Sequence, residues 1–123
     1  MTAEEMITAF DSESENDIPK ATKLRWLWQL DGTVYNDLIS THEGGQEKQT
    51  NKPEDGNREL LVEELYGEMY LWYMRSRMHM QLGEIELYNN ALALFQTCYD
   101  DYARYYNRTH MPKGETIKNY TGW

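Results

Sequence analysis

Histidine and cysteine are the residues of this sequence best able to ligate a metal or to act as a nucleophile. The chain has three histidines, His42, His79 and His110, and one cysteine, Cys98. No histidine lies four residues from another, and none belongs to a tight Cys/His/Asp cluster, so the spacing of a zinc site is missing. A thiol nucleophile needs a base close by, and the sequence points to none for Cys98. We therefore expect structural or solvent-facing roles for all four side chains, with no metal and no cofactor.

Paired carboxylates are the other groups that could do acid–base chemistry. Two adjacent pairs occur, Glu63-Glu64 and Asp100-Asp101. In a chain whose net charge is −9 such pairs are usually solvated surface. Di-iron helical bundles use Glu-x-x-His motifs, whereas Glu68 and His79 are 11 residues apart here. The sequence also has no glycine-rich phosphate loop, nucleophile elbow or Walker motif, so we predict no catalytic residues and no enzyme.

The elements that would position these residues centre on two consecutive helices, predicted over 64–82 and 85–107. In the second of them the apolar residues recur in alternating steps of three and four, which is typical of one buried helix face. Gly83 stands where a helix C′ residue is wanted, and Glu84 follows at the first turn of the next helix. We therefore predict an αα-hairpin with its turn at residues 81–84, the alternative being one long helix through Gly83.

The N-terminal segment predicts a short first helix. Thr2 followed by Glu5 is a capping-box pattern, in which each residue satisfies a backbone N–H of the other. Apolar residues then recur over 3–10, so we predict helix there, followed by an acidic loop over 11–17. A helix this short must pack on the rest of the chain to be stable.

A second helix is predicted over 19–40, where Pro19 suits the first helical position. Asp31-Gly32 interrupts its apolar pattern and marks either a bend or a weak turn. Residues 41–59 are rich in turn-forming residues, so we predict a long polar loop that is either disordered or a contact element. Residues 60–62 would close this loop as a brief extended segment.

Together these elements predict an all-α fold, a small bundle of about four helices in one domain. We expect the domain to cover residues 1–112, and residues 113–123 to form an extended C-terminal tail. No apolar run approaches the roughly 18 residues of a membrane span. The first residues are acidic rather than basic, so we expect no secretory signal. A single cysteine excludes an internal disulfide and suits a reducing compartment.

Charge is distributed unevenly along the chain. Residues 1–17 hold six acidic residues and no basic one, whereas residues 104–123 hold four basic residues and one acidic residue. An acidic head and a basic tail could pair between copies, or they could be two unrelated solvated surfaces. The overall charge of −9 argues against a protein that grips nucleic acid through its phosphates.

Aromatic residues are unusually frequent, with 10 tyrosines and 4 tryptophans. Tyrosine is favoured on surfaces that are buried only after assembly, although an ordinary tyrosine-rich core is equally compatible with this composition. The aromatic residues of the last two helices that we predict to pack between subunits are Trp72, Tyr88, Tyr99, Tyr102, Tyr105 and Tyr106.

The order of short aromatic and small-residue motifs over residues 3–112 carries a resemblance to a known family. In chain order these motifs are Leu24-Arg25-Trp26-Leu27, Glu59-Leu60-Leu61-Val62, Leu65-Tyr66-Gly67-Glu68-Met69-Tyr70-Leu71-Trp72-Tyr73, Leu82-Gly83-Glu84, Tyr88-Asn89-Asn90-Ala91-Leu92-Ala93-Leu94-Phe95 and Tyr105-Tyr106-Asn107-Arg108-Thr109-His110-Met111-Pro112. The pattern resembles the head–tail connector proteins (adaptor or head-completion proteins) of tailed bacteriophages and prophages. The motifs are not catalytic signatures, and neither the loop 41–59 nor the last ten residues takes part in the resemblance.

The resemblance implies a structural virion protein made in the bacterial cytoplasm. Such subunits form a homo-oligomeric ring of about twelve copies in the neck of the virion, below the portal protein. The ring extends the DNA channel, through which DNA passes without specific binding, and offers a platform to the stopper or tail-completion protein. No membrane is involved.

We also expect the C-terminal segment from residue 108 onward to contact a neighbouring copy or the portal. Its partner-binding candidates are Arg108, Met111, Lys113, Ile117, Lys118, Tyr120 and Trp123. Two other classes remain open. The first is a small helical interaction or regulatory module outside a virion, and the second is an enzyme of unrecognised type that uses the carboxylates or Cys98.

Overall fold

The structure is a computed structural model that describes residues 1–42 and 55–111. Within those residues the fold is all-α and contains no strand, as predicted. The helices are α1 (Ala3–Glu13), α2 (Lys20–Asp37), α3 (Glu68–Gln81) and α4 (Ile85–Thr109). Short 3-10 turns lie at Ile39–Thr41 and Glu64–Tyr66. Most of the predicted loop 41–59 and the predicted tail 113–123 lie outside the described residues.

Helix α1 begins with the predicted capping box. The Glu5 N–H donates to Thr2 Oγ1 at 3.2 Å, and the Thr2 N–H donates to Glu5 Oε1 at 2.8 Å. The helix runs to Glu13, so the prediction of a loop from residue 11 was wrong. Asp11 accepts a bond from Lys23 Nζ of α2 at 2.6 Å, and Glu13 pairs with Arg75 of α3. These ion pairs attach the acidic last turn of α1 to α2 and α3.

Helix α2 runs without a break through Asp31-Gly32, so no turn interrupts it there. It begins at Lys20, and Pro19 is its N-cap in an extended conformation rather than its first helical residue. The predicted C-terminal part of this helix is instead the 3-10 turn Ile39–Thr41.

The segment before α3 pairs with the N-terminus of the chain. The Ala3 N–H donates to Arg58 O and the Leu60 N–H donates to Met1 O, both at 3.0 Å. An isolated antiparallel bridge joins Thr2 to Glu59 between these two bonds. Extended pairing thus falls at residues 58–60, slightly before the predicted segment 60–62.

The αα-hairpin is confirmed. The Gly83 N–H donates to Met80 O at 3.2 Å and the Glu84 N–H donates to His79 O at 2.9 Å, which is the Schellman pattern of a helix C-terminus. Gly83 has φ 74°, a left-handed conformation that favours glycine. At the other end of the hairpin, α3 starts at Glu68 rather than at residue 64. Helix α4 extends two residues beyond its predicted end.

The hydrophobic core joins all four helices, but α4 contributes to it mainly through its C-terminal half. Tyr102 and Tyr106 are fully buried in the core, together with the side chains of α1, α2 and α3. Ala91, nearer the turn, is buried within the hairpin and lies outside this cluster. Helix α4 packs mainly against α3. The turn end of the hairpin therefore extends beyond the core.

Candidate functional site

A buried ion pair ties the segment before α3 to the middle of α2. Arg58 Nη1 donates to Asp31 Oδ2 at 2.9 Å, and both side chains are fully buried. The Tyr70 hydroxyl donates to Asp31 Oδ1 at 2.6 Å and accepts from the Val62 N–H at 2.9 Å. Burial, reinforced by Asp31, raises the pKa of Tyr70 well above its ordinary value, so the hydroxyl stays a donor. All three side chains of this cluster are buried, and the cluster fixes the segment before α3 to α2 and α3.

The three histidines have separate hydrogen-bond or stacking partners, although His42 and His110 both contact the Tyr106 ring. His42 is buried, with Nε2 at 2.7 Å from Asn107 Oδ1 and Nδ1 at 2.7 Å from the Leu38 carbonyl oxygen. His79 Nδ1 lies 2.8 Å from Glu84 Oε1 at the hairpin turn. The His110 ring stacks on Tyr106 with 3.8 Å between ring centroids. In the described part of the chain, no group of three or more His, Cys, Asp or Glu residues could hold a metal ion.

The remaining chemistry-bearing residues do not converge either. Cys98 is half-buried, and burial raises the pKa of its thiol, with a further contribution from Glu68 and Asp101. A raised pKa disfavours the reactive thiolate. Asp100 accepts a bond from Gln96 at 3.1 Å and Asp101 pairs with Arg104 at 2.9 Å, both along α4 itself.

The predicted subunit-packing aromatics need a correction. Tyr102 and Tyr106 lie inside the core of this chain, so they are intramolecular packing residues rather than contacts for another copy. The other four, Trp72, Tyr88, Tyr99 and Tyr105, are half-buried. Part of their surface is already covered; for example, the Tyr105 ring lies 4.8 Å from that of Tyr66, and the Arg75 guanidinium lies 4.5 Å from the Trp72 ring. Aromatic stacking within the chain explains much of the tyrosine content.

The apolar residues that stay exposed are mainly aliphatic and concentrate at the turn end of the hairpin. On α4, Ile85 and Leu92 are 64% and 38% exposed, and Leu87 and Leu94 are 48% and 38% exposed. Each pair is spaced by seven residues, which places its members on one line along the helix. We call these four residues the hairpin face. The sequence pattern contained this signal, because Leu87 and Leu94 lie on a line of their own beside the main apolar stripe.

A cleft lies beside the turn end of the hairpin, between the α1–α2 connection and the last turn of α3. It has a volume of about 360 Å³ and is lined by Glu15, Asn16, Asp17, Ile18, Pro19, Met78, Gln81 and Leu82. We call it the acidic cleft because, among the described residues, the only charged ones that line it are two carboxylates. The sequence indicated an acidic head but did not indicate that part of it borders a cleft with α3.

The predicted partner-binding residues are only partly described. Arg108 and Met111, at the end of α4, are both exposed, and Met111 keeps 51% of its surface. Lys113, Ile117, Lys118, Tyr120 and Trp123 lie outside the described residues. The end of α4 that leads to them is the end opposite the hairpin turn and the acidic cleft.

Comparisons with protein-family models, curated proteins and solved structures give no match to this chain. Among the described helices, none is both long and apolar enough to span a membrane. The geometry above and the resemblance of the sequence motifs are therefore what support a proposal of function.

Proposed function

We propose that this protein is a structural subunit that assembles with copies of itself, and more specifically a head–tail connector of a tailed bacteriophage. The observation that carries the proposal is the hairpin face, a set of aliphatic side chains exposed at the turn end of α4. Exposed apolar residues that are aligned along a helix mark an interaction site more often than scattered exposed residues do.

The arrangement of the hairpin face supports a ring rather than a single symmetric contact. A ring joins subunits head to tail, so every subunit needs two different complementary surfaces. The Ile85/Leu92 line and the Leu87/Leu94 line flank the side of α4 on which Ala91 is buried. Each line runs about 10 Å along the helix, at 1.5 Å per residue. One hairpin therefore presents two separate apolar edges to two different neighbours.

Charge supports the same function. A net charge of −9 repels DNA phosphates, so a channel built from these subunits would let DNA slide without holding it. In this proposal the ring of about twelve copies lies in the virion neck, between the portal protein and the stopper or tail-completion protein. Assembly of this kind needs only complementary surfaces, and no cofactor or catalytic group.

The test is to image the purified full chain by electron microscopy and to measure its mass by sedimentation, alone and mixed with the portal protein of the same genome. We expect a closed ring, formed either by the chain alone or on the portal. If the folded chain stays a monomer or dimer at every concentration, also with portal present, the proposal is overturned. A small interaction or regulatory module would then be favoured.

A matched pair of variants isolates the hairpin face in this test. Leu87→Gln combined with Leu94→Gln should abolish the ring while leaving helix content unchanged, because both side chains are exposed in the single chain. Trp28→Gln is the control, since Trp28 is an exposed apolar residue of α2 with 36% of its surface accessible, close to the 38% of Leu94. The control should still form rings.

A further inference from the structure

The acidic cleft combines apolar side chains with carboxylates that form no ion pair within the described residues. Ile18, Met78 and Leu82 provide its apolar side chains, and Glu15 and Asp17 its carboxylates. A cleft of this composition suits a peptide that carries a cation beside apolar side chains, because both parts of the peptide would then find a complementary group.

The acidic residues near the cleft differ in whether they already have a basic partner. Three of them form ion pairs within the chain: Glu4 with Lys20, Asp11 with Lys23, and Glu13 with Arg75. Glu15 and Asp17 are exposed and form no ion pair within the described residues. Both acids that border the cleft are thus left available to an incoming cation.

We propose that the acidic cleft receives the C-terminal segment of a second copy of this chain. Lys118 of that copy pairs with Glu15 and Asp17, and Ile117 and Tyr120 contact the apolar lining. The sequence places this lysine directly after one apolar residue and two positions before another. This inference rests on the proposed self-assembly, which brings a second copy close. The contact it describes is separate from the hairpin face.

The length of the chain explains why the segment comes from a second copy. Helix α4 extends about 36 Å from the hairpin turn to Thr109, at 1.5 Å per residue. The chain from Thr109 to Lys118 spans at most about 32 Å when it is fully extended. A copy's own Lys118 would therefore approach the cleft only with the intervening segment almost fully straight along α4, whereas the segment of a second copy is under no such constraint.

The experiment is disulfide trapping between two differently tagged full-length copies. One copy carries Ile18→Cys, the other carries Tyr120→Cys, and both carry Cys98→Ser so that the native thiol does not react. Under mild oxidation we expect a disulfide that links the two differently tagged copies. Replacing Ile18→Cys by Thr8→Cys, on the exposed surface of α1, gives the control and should give no such product.

Charge reversal tests the role of the lysine. Lys118→Glu in the second copy should lower the trapping yield about tenfold, since it places a carboxylate against Glu15 and Asp17. Glu15→Lys with Asp17→Lys in the first copy should then restore it. Asp37→Lys with Asp100→Lys changes the charge equally on another face and should restore nothing.

The outcomes separate this inference from the proposed function. If rings form but the disulfide yield does not exceed that of the Thr8→Cys control, the docking is overturned and the connector proposal stands. Trapping without any ring, also with portal present, would overturn the connector proposal and retain the docking. A disulfide formed within single chains that carry both cysteines would show docking to the same copy and would overturn the inference.

Discussion

Asp31 is the residue whose role differs most between the sequence pattern and the folded chain. From the sequence, an aspartate beside Gly32 in the middle of a helix indicates an interruption of the apolar face. In the folded chain its carboxylate accepts bonds from Arg58, from the Tyr70 hydroxyl and from the Leu61 N–H. Burial raises the pKa of Asp31, and these bonds counteract that rise. The pairing partner is 27 residues away, so no local pattern reveals it.

We predict that Asp31→Asn destabilises the protein by about 3 to 5 kcal/mol, because it leaves the Arg58 guanidinium buried without a counter-charge. That is a large share of the roughly 5 to 15 kcal/mol that stabilises a domain of this size. The measurement is urea denaturation followed by circular dichroism. Asp37→Asn, at an exposed position of the same helix, should change the free energy of unfolding by less than about 0.5 kcal/mol.

A double variant checks that the loss comes from the broken pair. Asp31→Leu combined with Arg58→Met removes both charges and should be more stable than either single variant, since no buried charge remains unpaired. If the two single losses simply added, Asp31 and Arg58 would not act as a pair and the interpretation would be contradicted.

At the scale of elements, the hairpin turn depends on the conformation of one glycine. Gly83 adopts φ 74°, and a Cβ built there meets no atom within 4 Å, so any cost of a side chain is conformational rather than steric. Gly32 lies inside α2 and also has open space around its Cβ position. The two glycines therefore differ in backbone conformation but not in crowding.

We predict that Gly83→Ala destabilises the protein by about 1 to 2 kcal/mol, since a residue with a Cβ is strained in the left-handed region. Gly32→Ala should have the opposite sign and stabilise by up to about 1 kcal/mol, because alanine favours helix over glycine. Thermal unfolding of the two variants, compared with the parent chain, measures both. Equal shifts in the same direction would contradict the different conformational roles assigned to these two glycines.

At the scale of the whole molecule, the hydrophobic core covers only part of the hairpin. Tyr102 and Tyr106 anchor the C-terminal half of α4 in the core, whereas the half near the turn rests mainly on α3. The hairpin face lies on that less supported half. Surface available for assembly thus coincides with the part of the helix that the single chain stabilises least.

We predict that amide hydrogen exchange is faster in residues 86–97 than in residues 98–109 when the chain is dilute. Helical hydrogen bonds far from the core open at lower free energy, so their amides are less protected. Mass spectrometry of exchanged peptides measures the difference. Assembly should slow exchange in 86–97 selectively, whereas uniform protection along α4 in the dilute chain would contradict this view of the fold.

The local features of this fold were readable from residues close together in the chain. The capping box of Thr2 and Glu5, the turn at Gly83 and the apolar periodicity of α4 each depend on residues at most a few positions apart, so they predicted an all-α hairpin fold. Of the candidate site, the sequence indicated the separate Leu87/Leu94 line and the acidic head.

Contacts between distant residues were decided by the tertiary structure alone. It extended α1 through ion pairs to other helices, placed Asp31 with Arg58, buried Tyr102 and Tyr106 in the core and formed the acidic cleft between two remote segments. The physical reason is one of range. Helix caps, turns and periodicity arise from neighbours along the chain, whereas burial and ion pairing depend on which faces the packed helices bring together.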